Sequence, residues 1–211
     1  MNPYLQILRP SVCALSIIVL IAASIVAGTL FNLLIIPALI VVFLITAAGN
    51  VINDYFDYKI DKINAPSRPI QSGHITRKTA LRYYVILSLV GLAFSLLVGI
   101  MFFAIALFNV IVSGFYASSL KKTALLGNAA VSWLAASIFL ASGLISQNIS
   151  TTILFLFLIS FLGTMAREII KDIEDIKGDL AEHAHTLPII IGEARSRFVA
   201  SIFMQIGRAH V

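Results

Sequence analysis

Between Arg9 and Asp54, between Arg82 and Lys121, and again between Lys122 and Arg167, the chain carries no charged side chain. Each gap is roughly forty residues long, and a helix needs about 20 apolar residues to cross the hydrocarbon core, so each gap holds two crossings joined by a short turn. In lipid the backbone must satisfy its own hydrogen bonds, which makes the α-helix the spanning element for runs of this length. The pattern predicts an all-α fold, a polytopic transmembrane helix bundle of six helices. Composition agrees, with 59% hydrophobic and 12% charged residues and a mean hydropathy of +0.98, outside the range of a soluble globular domain.

The three expected turns, around residues 28–37 (GTLFNLLIIP), at Gly99 to Met101 and at Gln147 to Thr152, are uncharged and rich in turn formers or polar residues, and fall on one side of the membrane. The Lys and Arg residues gather on the other side, at the N-terminus, in residues 54–82, at Lys121 and Lys122, and in residues 167–197. By the positive-inside rule that face is cytoplasmic, which predicts a multi-pass protein of the cell membrane with its N-terminus inside. The net charge of +5 and pI near 9.5 follow from these topogenic residues beside anionic headgroups and call for no nucleic-acid partner. Cys13, the one cysteine, can form no intrachain disulfide and is expected to be a buried small apolar residue.

MNPYLQILRP has neither a basic n-region nor a small-residue cleavage site, so the first span is expected to be retained, with Pro10 marking its entry. A further apolar run opens at Phe198 and meets Gly207, Arg208 and His210 too soon to cross the membrane. The expected organisation is a single transmembrane domain over residues 1–205 that stops short at its C-terminus, with residues 206–211 (IGRAHV) a non-native addition.

At the end of the first charge-free gap stands NDYFDYKID, in which Asp54, Asp57 and Asp61 are spaced by three and four. On a helix they form one stripe with Asn50 and Asn53 at its upper end. The spacing recurs in KDIEDIKGD as Asp172, Asp175 and Asp179. Both copies follow an even-numbered span, so both are delivered to the same end of the bundle. Crowded carboxylates beside hydrocarbon repel one another and are costly to desolvate, so a cation should neutralise them. Hard oxygen donors suit Mg²⁺, which takes one or two carboxylates and completes its shell with water and phosphate oxygens. Arg68, Lys121, Lys122, Arg167 and Lys171 are the cations available to clamp a diphosphate. The plainer alternative is a solvated acidic loop pairing with Lys59, Lys62, Lys171 and Lys177. His183 and His185, two apart beside an acidic motif, read as solvated loop histidines. A diphosphate held at the mouth of an apolar bundle implies a prenyl diphosphate donor whose tail enters the membrane, and departure of that diphosphate in a water-excluding cavity leaves an allylic cation for an acceptor to capture.

NDYFDYKIDKINAPSRPI, YASSLKK and REIIKDIEDIKGD, in this order, resemble the UbiA superfamily of intramembrane prenyltransferases. The resemblance reaches from the N-terminus to about Arg197. It implies nine membrane helices around a central cavity, of which this chain would supply six and the start of a seventh, so that the 211-residue form is expected to turn over weakly or not at all. It also implies that Asn53, Asp54, Asp57 and Asp61, and then Asp172, Asp175 and Asp179, hold Mg²⁺. Asn50, Asn53, Arg68, Lys121, Lys122, Arg167 and Lys171 would hold diphosphate, while Asp57, Asp61, Asp175, Asp179 and Tyr116 carry the reaction. Tyr116 would orient the acceptor or face the cation with its ring, although a tyrosine of the interfacial belt would sit at the same place.

Within the superfamily, NPYLQILRP, LKKTALLGN and TLPIIIGEA are most similar to the enzymes that build archaeal-type ether lipids. That similarity implies transfer of a geranylgeranyl group from geranylgeranyl diphosphate to the hydroxyl of a lipid-like acceptor, geranylgeranylglyceryl phosphate. Departures from the family pattern are Gln71 in place of Pro, His74 and His185 in place of Arg, and the wider spacing between Tyr116 and Lys121. An aromatic, quinone-precursor or chlorophyll-type acceptor is the alternative within the same chemistry. A cation transporter with acidic mouths is the alternative outside it.

Overall fold

The computed structural model describes residues 2–181 and 184–208, and His183 lies outside them. After a single turn, α1 (Pro3–Gln6), come three helical hairpins: α2 (Pro10–Val26) with α3 (Ile35–Phe56), α5 (Arg77–Val98) with α6 (Ile100–Ser118), and α7 (Leu126–Leu144) with α8 (Thr151–Glu174). Two short helices, α4 (Tyr58–Asn64) and α9 (Ile176–Ala181), extend the ends of α3 and α8, and α10 (Leu187–Ile191) leads into α11 (Glu193–Arg208), which packs on α8. Residues 206–208 continue α11. Five of these helices, α3, α5, α6, α7 and α8, are long and apolar enough to cross a membrane, and α2 is a shorter apolar helix of 17 residues. The six apolar helices are those expected from the charge gaps.

Local chemistry sets the helix boundaries. Pro10 occupies the first position of α2, where the missing N–H removes no bond. α3 starts at Ile35, inside the stretch 28–37 expected as a turn, so Pro37 falls in its first turn and is tolerated there for the same reason. The side chains of Thr76 and Ser150 cap α5 and α8 by accepting from the backbone N–H groups of Thr79 and Ile153. Gly99 alone joins α5 to α6, at φ +149°, a backbone conformation that other residues rarely adopt.

The hairpins are locked at the turn end, where Thr29 Oγ1 donates to the carbonyl of Ser142 (3.3 Å) and Asn32 Nδ2 to that of Ile145 (3.2 Å). Beside these bonds Leu20, Ile35, Val98 and Ile145 form one packed cluster with Val41, Phe102 and Ala141. A second cluster, including Ile7, Leu8, Cys13, Val51, Ile75 and Leu87, packs the opposite end, and Cys13 is fully buried as expected. Many large apolar side chains remain exposed around the bundle, among them Phe31, Leu89, Leu97 and Phe115, a surface suited to lipid. The protein is a multi-pass membrane protein.

Candidate active site

The first acidic motif does not ride on one uninterrupted helix. α3 stops at Phe56, Asp57 stands at the break with φ −76° and ψ 5°, and α4 restarts at Tyr58. The second motif repeats the device: α8 stops at Glu174, Asp175 stands at the break with φ −93° and ψ 5°, and Asp179 follows on α9. In both, the aspartate at the break keeps one helical hydrogen bond on each side, the Asp57 N–H donating to the carbonyl of Asn53 and its own carbonyl accepting from Asp61, and likewise Asp175 with Lys171 and Asp179. The helix is nonetheless interrupted there, so the three acids of each motif need not share a single stripe.

Asp54 and Asp61 are nearly sealed from solvent, at 2% and 6% exposure, and two carboxylates so buried require cations. Arg9 supplies one, its guanidinium 2.5 Å from Asp54. It is held by a left-handed backbone (φ 52°) at the cap of α2 and by Asn50, whose Nδ2 donates to the carbonyl of Leu8 at 2.8 Å. Arg68 supplies the other, spanning Asp54 at 3.4 Å and Asp61 at closer range, while Gln71 Nε2 donates to Asp61 at 3.4 Å. Asp57 is engaged separately: Asn53 Nδ2 donates to it at 2.8 Å, and Lys121 forms an ion pair with it across the bundle.

In the second motif the partners described for the acids are neutral donors, Asn128 Nδ2 to Asp172 (2.9 Å) and Thr186 Oγ1 to Asp179 (2.9 Å), while Asp175 is exposed. The connection after α6 binds the two motifs together. It runs through a 3₁₀ turn, Leu120–Lys122, from which Lys121 reaches Asp57. The next residues lie against the segment after α9: the N–H of His185 donates to the carbonyl of Lys122 at 2.8 Å, and Thr123 and His185 form a parallel bridge. Both acidic motifs therefore sit at one end of the bundle, as their position after even-numbered spans predicts.

At that end opens a cavity of about 570 Å³, within the size range of small-molecule sites. Its polar mouth is lined by Arg9, Asn50, Asn53, Tyr116, Arg167, Glu168 and Lys171, and its depth by apolar residues of α3, α6 and α7 down to Val41, Phe102 and Ala141. Ser113 and Ser137, which also line it, donate to carbonyls of their own helices, so they present little unsatisfied polarity to a hydrocarbon guest.

Of the residues singled out from sequence, Asn50, Asn53, Tyr116, Arg167 and Lys171 line the cavity. Arg68 is turned onto Asp54 and Asp61, and Lys121 onto Asp57. Arg167 also pairs with the adjacent Glu168 at 2.7 Å. Arg9, Asn128 and the buried Glu168 join the site without having been foreseen, although Arg9 stands out in the sequence as the one charge before Asp54.

Among the described residues no three His, Cys, Asp or Glu side chains converge into a ready-made metal cage. The donors are carboxylate and amide oxygens, with Asn53 beside Asp57. Such a set fits Mg²⁺, an ion that takes few protein ligands and fills its shell from phosphate and water.

Residues 15–208 match the model of the UbiA prenyltransferase family. The chain belongs to the UbiA prenyltransferase family. Among UbiA relatives, the digeranylgeranylglyceryl phosphate synthase of Methanosphaera stadtmanae is 42% identical over 202 residues, 96% of this chain and 74% of the relative. That of Methanothermobacter thermautotrophicus is 44% identical over 210 residues, 98% of this chain and 73% of the relative. The UbiA fold is equally plain in solved structures. A digeranylgeranylglyceryl phosphate synthase structure superposes with a TM-score of 0.89 at 36% identity, covering 97% of this chain and 74% of the other. A UbiA homolog from Archaeoglobus fulgidus, solved with GPP and Mg²⁺, superposes with a TM-score of 0.79 at 20% identity, covering 99% and 77%.

Proposed function

We propose that this UbiA-family chain transfers a geranylgeranyl group from geranylgeranyl diphosphate to the free hydroxyl of geranylgeranylglyceryl phosphate, forming an ether lipid and releasing diphosphate. The observation that carries this reading is the 42–44% identity, over nearly the whole chain, to relatives that bear the name of that synthase. The cavity supports it, since a polar mouth with the cations Arg9, Arg167 and Lys171 and one acid, Glu168, leads into a largely apolar interior of a size for a hydrocarbon tail.

In this reading the donor's diphosphate lies at the mouth and its tail points into the bundle. Asp57 with Asn53 on one side, and Asp172, Asp175 and Asp179 on the other, would hold Mg²⁺. The ion, bound with GPP in the A. fulgidus homolog, supplies Lewis-acid stabilisation of the leaving charge. Arg167 and Lys171 clamp phosphate oxygens, and Lys121, drawn to Asp57, brings a further cation beside the same carboxylate. Arg9 and Arg68 act on the acids themselves, neutralising Asp54 and Asp61 so that the motif stays folded.

The bond from the allylic carbon to the diphosphate oxygen breaks with its electron pair leaving on diphosphate. The acceptor hydroxyl oxygen then bonds to that carbon, and its proton is released to the departing diphosphate. The face of the Tyr116 ring stabilises the cationic carbon, and the apolar walls exclude the water that would otherwise capture it. The Lys- and Arg-bearing end of the bundle, and with it the active site, faces the cytoplasm.

The test, on the protein carried to the full length of its synthase relatives, of which this chain spans about three quarters, is diphosphate release from geranylgeranyl diphosphate with Mg²⁺, with geranylgeranylglyceryl phosphate and an aromatic acid offered in parallel. Release with the glyceryl phosphate alone is expected. Release with the aromatic acid alone would move the chain to another branch of the chemistry.

A further inference from the structure

The cavity has a measurable depth and a defined floor. On α3, twelve residues separate Asn53 at the mouth from Val41 at the bottom, and on α6 fourteen separate Tyr116 from Phe102. At 1.5 Å per helical residue these are about 18 and 21 Å. An isoprene unit extends a prenyl chain by four carbon–carbon bonds, roughly 5 Å when extended, so four units measure about 20 Å. The chamber is as deep as a four-unit tail is long.

The floor is not open to lipid. Val41, Phe102 and Ala141 are 2%, 4% and 6% exposed, and they belong to the same packed cluster as Leu20, Ile35, Val98 and Ile145, none of which lines the cavity. These backing residues lie farther along their helices toward the turn end, where the bonds from Thr29 and Asn32 to α7 hold the hairpins together. A longer tail would therefore meet close-packed side chains braced by the turn, and close-packed interiors yield little without penalty.

We infer that Phe102, with Val41 and Ala141, forms the floor that limits the donor to four isoprene units. The inference rests on the prenyl-transfer reading and adds to it the residues that set chain length. Phe102→Ala removes about six carbons, roughly one isoprene unit, and deepens the chamber. Ala141→Phe adds a similar volume at the same level and makes it shallower.

The test uses unreactive prenyl thiolodiphosphates of three, four and five isoprene units, offered with Mg²⁺ to the protein in liposomes. Binding is followed by fluorescence of Trp133, the one tryptophan of the chain, whose Nε1 donates at 2.8 Å to the cavity-lining Asn109. Each variant is scored by the ratio of dissociation constants between chain lengths on one preparation, so loss of folded protein cancels. For Phe102→Ala the five-unit analogue is expected to gain at least about tenfold over the four-unit one, and for Ala141→Phe the three-unit analogue to gain at least about tenfold over the four-unit one, the scale on which apolar pockets sort added carbons. Ratios within about twofold of the unsubstituted protein in both variants would overturn the floor assignment while leaving the prenyl reading intact. Failure of the unsubstituted protein to bind any of the three would overturn both.

Discussion

Gly127, one residue into α7, lies against the turn that carries Lys121, and replacing it with alanine tests whether the position of that turn matters to the chemistry. A Cβ at residue 127 would come within 2.5 Å of the carbonyl oxygen of Leu120, 3.2 Å of its carbon and 3.3 Å of the Cα of Lys121. Ordinary contact begins near 3.4 Å, so the Leu120–Lys122 backbone must retreat by roughly 0.9 Å, and being backbone it cannot swing aside as a flexible side chain would. The displaced residue is Lys121, the partner of Asp57. Alanine gains about 0.5–1 kcal/mol over glycine in helix propensity, against about 1–3 kcal/mol for forcing extra volume into a packed site, so the net stability loss is modest, at about 2.5 kcal/mol or less. The functional loss is larger, because a shift near 1 Å at a positioned group costs on the order of 100-fold in rate. Gly127→Ala protein should therefore remain folded, by thermal melting and circular dichroism, while turning over geranylgeranyl diphosphate about 100-fold more slowly. Turnover within threefold of the unsubstituted protein would refute the argument that the Leu120–Lys122 turn places a working cation.

Further expectations follow from other contacts. Asp57→Asn and Asp175→Asn should each lower turnover by two or more orders of magnitude in a diphosphate-release assay, the scale of lost preorganised electrostatics, and near-normal rates in both would dispose of a metal–diphosphate site shared between the motifs. Arg68→Ala should destabilise the protein by about 1–3 kcal/mol in thermal or denaturant melts, since it takes a cation from the buried pair Asp54 and Asp61, a loss kept below the buried-pair extreme because Arg9 still holds Asp54. Gly99→Ala, at a φ of +149° in the one-residue link between α5 and α6, should lower stability by about 1–3 kcal/mol with no change in donor-length preference, read by melting and by competition between donors.

The membrane helices were legible because charge is excluded from hydrocarbon, and the gaps from Arg9 to Asp54, Arg82 to Lys121 and Lys122 to Arg167 record that exclusion directly. The acidic motifs were equally visible, since the spacing of Asp54, Asp57 and Asp61 recurs at Asp172, Asp175 and Asp179. The breaks at Asp57 and Asp175 were not, because neither carries the proline or glycine that punctuates a chain, and an aspartate at a helix end reads like one inside it. Partners distant in sequence were hidden for a different reason. Arg9 meets Asp54 across 45 positions, Lys121 meets Asp57 across 64, and Asn128 meets Asp172 across 44, and such pairings are decided by how the hairpins pack. Local pattern offered Arg68 as a diphosphate ligand but could not show that its guanidinium lies on two buried carboxylates, Asp54 and Asp61. The depth of the cavity became readable only when α3, α6 and α7 were brought side by side.

The most direct test of the account is to incubate the protein, in a form carried to the full length of the synthase relatives of which this chain spans about three quarters, in liposomes with geranylgeranyl diphosphate, deuterium-labelled geranylgeranylglyceryl phosphate and Mg²⁺, and to look by mass spectrometry for the labelled double-chain ether lipid. The account predicts that lipid, absent when either substrate or Mg²⁺ is withheld and suppressed by Asp57→Asn. Its absence under conditions in which the same protein prenylates another acceptor, or passes cations across the liposome without any prenyl donor, would contradict the central claim.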